Sequence, residues 1–152
     1  MYKDTYTAEQ LGANLISNVA NLMTHIWGAT KTERIAGCEE FIDKLCEELH
    51  ITESRPSFKF IEGDEGNLLY QRTGGGLYDL ETNTVYMFKK FSLTTFLHEC
   101  RHFLQNKAVT YVNKPEGYDI EEDAREWSCS LYFNADSARY MRAVQNKKLI
   151  YY

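Results

Sequence analysis

The sequence predicts an α+β fold: two N-terminal helices, a small twisted and mainly antiparallel sheet, a central helix, and C-terminal helices that close a cleft over it. Three observations predict it. Apolar residues recur at helical spacing over residues 7–27, 32–50 and from Ile120 onward. Residues 57–62 alternate apolar and polar, and residues 76–88 read as a hairpin, each bounded by turn formers. Ser92 stands as an N-cap ahead of Leu93, Phe96, Leu97, Cys100 and Leu104, which fall on one side of a helix.

Thr7-Ala8-Glu9-Gln10 has the form of a capping box, so the first helix starts there, with Leu11, Leu15, Val19, Leu22, Met23 and Ile26 at helical spacing. Gly28-Ala29-Thr30 breaks the pattern. A second helix follows, with Ile35, Cys38, Phe41, Ile42, Leu45, Cys46 and Leu49 inward. His25 reads as a surface or half-buried side chain, and His50 as a helix-end residue suited to the dipole. After the strand at 57–62, residues 63–67 read as a turn and 68–72 as a short second strand. The hairpin comprises Gly76–Asp79, a turn at 80–83, and Thr84–Phe88. Residues 107–119, with Pro115 and Gly117, form a loop. The next helix turns Ile120, Ala124, Trp127, Leu131 and Ala135 inward, and residues 134–137 interrupt or end it. A last helix spans 138–148, and Leu149-Ile150-Tyr151-Tyr152 is an apolar tail expected to pack on the body.

At 152 residues, one domain over 1–152 is the simplest organisation, long enough for a core without staples. The 11 Tyr and 8 Phe exclude a disordered chain, and the net charge of −5 argues against a general nucleic-acid binder. Arg139, Arg142, Lys147 and Lys148 read as a solvated helix end. No apolar run approaches the ~20 residues of a membrane span. The first residues lack a signal-peptide core, so a cytoplasmic protein is expected. Cys38, Cys46, Cys100 and Cys129 are widely spaced and read as reduced, buried thiols.

The central helix contains His98-Glu99-Cys100-Arg101-His102. Two histidines four apart stand one turn apart on one face, so both can reach one metal ion. The carboxylate beside the first can handle the proton of a metal-bound water. Both lie roughly opposite the apolar face, under whatever layer covers that side. A catalytic zinc commonly has three protein ligands, and the acids of residues 121–126 supply candidates for the third. Glu121 lies beside the apolar face and is favoured, Glu122 points largely to solvent, and Asp123 comes third. The expected set is His98, His102 and Glu121 on Zn²⁺, with Glu99 as general base in hydrolysis of a peptide bond. Tyr132 is a candidate second electrophile. Thr95 and Gln105 border the histidine face, and solvated polar positions explain them equally well.

Three stretches resemble the gluzincin metallopeptidases, particularly minigluzincins and the ImmA/IrrE-like small peptidases. They are His98-Glu99-Cys100-Arg101-His102, the hairpin from Gly76 to Met87, and Glu121-Glu122-Asp123-Ala124-Arg125-Glu126-Trp127-Ser128, similar to a Glu-x-x-Ala-x-x-aromatic-small pattern. The resemblance covers about residues 76–132. It implies zinc on His98, His102 and Glu121, Glu99 as base, and Thr84–Phe88 as an edge strand that binds an extended peptide substrate by strand addition. Many members carry Asp or Asn four residues after the ligand Glu, where this chain has Arg125. Either Glu126 serves instead, or the register shifts to Glu122. The rival reading is a catalytically silent gluzincin scaffold acting as a binding or regulatory partner. A DNA-associated regulator is a further rival, resting on the basic C-terminal residues alone.

Overall fold

Thr7 caps the first helix as its sequence predicts: its hydroxyl accepts from the Gln10 amide, and the Gln10 side chain accepts from the Thr7 amide. In this computed structural model, which describes residues 6–107 and 117–148, that helix is short. α1 (Ala8–Leu11) stops at Gly12, where φ is 89°, and α2 (Ala13–Met23) resumes the same apolar stripe. Leu11, Leu15, Val19, Leu22, Met23 and Ile26 are all buried, so the periodicity survives the break. α3 (Lys31–Glu48) opens on a second capping box, Thr30 with Glu33, and buries Cys38, Phe41, Ile42, Leu45 and Cys46. His50 follows its end, exposed.

The four cysteines are free and buried. Burial pushes the thiols of Cys38, Cys46 and Cys100 up, and that of Cys129 up to about 11, so none offers a thiolate near neutrality. A thiol reagent is therefore expected to label none of them in the native protein within minutes, and all of them after denaturation. Rapid labelling of the native protein contradicts this packing.

β1 (Ser57–Ile61) turns Phe58 and Phe60 inward. The expected turn and short strand after it are instead one helix, α4 (Gly63–Thr73). Asp64 and Glu65 in its first turn suit the helix dipole. Gly66, which reads as a turn residue, is needed for contact: a Cβ there would lie 2.3 Å from the Ile61 carbonyl oxygen. Leu68 is 48% exposed, so the short apolar run that resembles a strand buries little.

β2 (Gly76–Asp79) and β3 (Thr84–Phe88) form the expected hairpin with the expected bounds. The sheet order is β1-β3-β2, with β3 antiparallel to β2 and parallel to β1. It is therefore mixed, with one ladder of each sense. Thr84–Phe88 is the central strand, which corrects its expected place at an edge. Val85 and Met87 are fully buried, on the face of β3 that packs toward α5, while Tyr86 between them is half-buried. The edges are β1 and β2.

α5 (Leu93–Asn106) begins at Ser92, whose hydroxyl accepts from the Thr95 amide, and lays its apolar side on the core with α3 and the sheet. α6 (Ile120–Ala135) starts at Asp119, which accepts from the Glu122 amide. Ala124, Trp127 and Leu131 are buried as expected, whereas Ile120 is 54% exposed. Asp136 separates α6 from α7 (Ser137–Gln145) and caps the latter. α6 crosses α5 and closes the cleft; α7 packs on α6 through Tyr140 against Tyr132 and Phe133. The class is α+β. Most of the expected loop at 107–119 and the whole tail Leu149-Ile150-Tyr151-Tyr152 lie outside the described residues. Among the described residues no helix is long and apolar enough to cross a membrane.

Candidate metal centre

α5 turns His98 and His102 toward the first turn of α6. Their Nε2 atoms lie 3.1 Å apart. Glu121 meets both: its Oε2 is 3.2 Å from His98 Nε2 and its Oε1 is 2.9 Å from His102 Nε2. Ligands about 2.0–2.1 Å from a tetrahedral zinc stand about 3.3 Å from one another. Each spacing is close to the edge of that tetrahedron, with a different Glu121 oxygen facing each ring, and two imidazoles with one carboxylate are donors that zinc accepts. Burial pushes His98 down to about 4, helped by the neighbouring His102, so its ring is neutral at pH 7, the form that ligates.

Ligand-type atoms of His98, Glu99 and His102 also lie within 4.8 Å of one another, a group that could hold a metal ion. Of the two carboxylates, Glu121 is the one in contact with both rings. Glu99 is held by the sheet: the Tyr78 amide of β2 donates to its Oε1 at 3.0 Å. Glu99 is 7% exposed. Burial raises its pKa to about 7, Glu121 adds to the rise, and His102 and the Tyr78 amide oppose it. β2 comes this close because of Gly76, where a Cβ would stand 2.8 Å from the Tyr86 carbonyl oxygen, 2.9 Å from Thr95 Cγ2 and 3.2 Å from Glu99 Cγ. Of the three glycines, Gly76 is thus a contact requirement of the cleft wall, while Gly74 is set by its positive φ of 98°.

The cleft has a volume of about 750 Å³ and is bounded by residues 73–78 and Leu80, the histidine side of α5, and Ile120, Glu121 and Arg125 of α6. Its floor is the His-Glu-His group. The remaining candidates separate clearly. Glu122 is exposed and Glu126 is half-buried; Glu126's pKa is raised by burial and by its contact with Glu122, so these two acids face each other. Arg125 lines the cleft one turn beyond Glu121. Tyr132 does not reach the site: it lines a second cavity of about 810 Å³ with Trp27, Arg139, Arg142, Lys147 and Lys148. Its expected role as electrophile is corrected, since α6 carries it several turns away. Thr95 is 2% exposed and packs on Gly75 and Gly76, so it is no solvated position.

Asp123 is a buried hub rather than a ligand. Its Oδ2 accepts from Arg101 Nε at 2.8 Å, Gln105 Nε2 at 2.9 Å and the Tyr118 hydroxyl at 2.9 Å. Its Oδ1 accepts from Arg101 Nη2 and the Tyr6 hydroxyl. Burial pushes the carboxyl up, but the bonds and charge of Arg101, with Tyr6 and Gln105, outweigh it and hold the group below its ordinary range. Arg101 also lies against the rings of Tyr6 and Trp127. The sequence signal for this network was the pair Arg101 and Asp123, each adjacent to or two residues from a proposed ligand. Searches against protein-family models, curated proteins and solved structures find no significant match to this chain.

Proposed function

We propose that the protein is a zinc-dependent metallopeptidase of the gluzincin type. The observation that supports this most is the convergence of His98 Nε2, His102 Nε2 and the Glu121 carboxylate beside a buried Glu99 on the floor of an open cleft. A zinc ion held by these three residues supplies Lewis acidity toward water and a peptide carbonyl. Glu99 takes a proton from the attacking water and delivers it to the leaving nitrogen. The Tyr78 amide fixes Glu99 through Oε1, so Oε2 is the atom that moves the proton. Arg125 is the cation on the cleft wall suited to a developing oxyanion. An extended peptide pairs with the edge strand β2, which borders the cleft and whose Tyr78 amide is held by Glu99, in place of the expected Thr84–Phe88.

The test is cleavage of a broad peptide library by zinc-loaded protein, by chelator-treated protein, and by His98→Ala. Cleavage confined to the zinc-loaded wild type is expected. Stoichiometric zinc without any cleavage overturns the enzyme reading in favour of a binding scaffold.

A further inference from the structure

We infer that Gln105 is a positioning residue for the metal centre: it sets the tautomer of His102 and ties the turn carrying Glu121 to α5. The inference rests on the metal-centre reading above and concerns residues that the ligand pattern does not include.

The orientation of the Gln105 amide follows from its neighbours. Its Nε2 lies 2.9 Å from the Ile120 carbonyl oxygen and 2.9 Å from Asp123 Oδ2. Both are acceptors that carry no proton, so the NH₂ end must face them; the reverse placement sets an oxygen against two oxygens. Gln105 Oε1 is then left facing His102 Nδ1 at 2.7 Å. A carbonyl oxygen only accepts, so Nδ1 carries the proton. In a neutral ring Nε2 is then a bare lone pair.

That lone pair lies 2.9 Å from Glu121 Oε1, a second acceptor. Two acceptors facing at this distance repel unless a cation or a proton stands between them. Gln105 therefore presents His102 in the form a metal takes, before any metal arrives. The same amide grips the Ile120 carbonyl, one residue before Glu121, so one side chain orients two proposed ligands. Asp123 keeps Gln105 in place, itself held by Arg101, Tyr6 and Tyr118.

Gln105→Met keeps the length and loses the bonds to His102, Ile120 and Asp123; Gln105→Glu keeps an acceptor toward His102 and sets a carboxylate against Asp123. The first readout is the imidazole ¹⁵N spectrum of the metal-free protein. The wild type should show His102 in the Nδ1–H form, Gln105→Glu should retain that form, and Gln105→Met should lose it. The second readout is zinc affinity by chelator competition, expected to fall by about 10–100-fold in Gln105→Met, the usual effect of removing such a partner. An Nε2–H tautomer in the wild type overturns the inference, as does a Gln105→Met protein that binds zinc like the wild type. A wild type that binds no zinc sinks the peptidase reading, while the metal-free tautomer still decides the role of Gln105.

Discussion

Glu99→Gln is expected to bind zinc as tightly as the wild type and to lose about 10²–10⁴-fold in kcat, the usual worth of a positioned general base. Gln has the same shape, and its Oε1 can still accept from the Tyr78 amide that holds Glu99 at 3.0 Å. What it cannot do is take a proton. Burial brings the carboxyl up to about 7 in the metal-free protein, and a zinc ion beside it would draw it down toward the ionised form a base needs. Steady-state cleavage of the best library peptide, with zinc content measured on the same samples, checks this. Equal rates in both proteins contradict the assigned role.

Asp123→Ala is expected to cost about 3–5 kcal/mol of folding stability, the range for removing one partner of a buried ion pair. Asp123 and Arg101 are 3% and 6% exposed, so solvent replaces little of what is lost. The substitution strands the Arg101 guanidinium between two aromatic rings and frees Gln105 and the hydroxyls of Tyr6 and Tyr118 from their shared acceptor. Urea denaturation of the metal-free proteins measures it without the contribution of bound zinc. A loss below about 1 kcal/mol, typical of an exposed pair, contradicts the hub.

Much of the site was legible in the sequence because helices report their faces. His98 and His102 had to share a face, and Glu121 was favoured over Glu122 to meet them, since both follow from 100° per residue. The hairpin bounds were legible from alternation and turn residues. What failed depended on partners distant in sequence. β3 is central only because β1 returns parallel to it, and no local pattern in residues 84–88 carries that. Residues 63–73 combine glycines with a short apolar run, which reads as turn and strand until Gly66 is seen packed on the end of β1. Ile120 fell on the helical stripe but borders the open cleft. Asp123 was weighed as a ligand because its charge was visible; Arg101, Tyr6 and Tyr118, which claim it, come from three separate segments. Arg125 looked like a departure from the pattern of the families the chain resembles; it lines the cleft one turn beyond Glu121.

The most direct test of the metal centre is anomalous scattering at the zinc edge from crystals grown with zinc. One peak is expected at about 2.0–2.2 Å from His98 Nε2, His102 Nε2 and a Glu121 carboxylate oxygen, with Glu99 uncoordinated. No peak at this site, or a peak coordinated by Glu122 or Asp123 in place of Glu121, would contradict it.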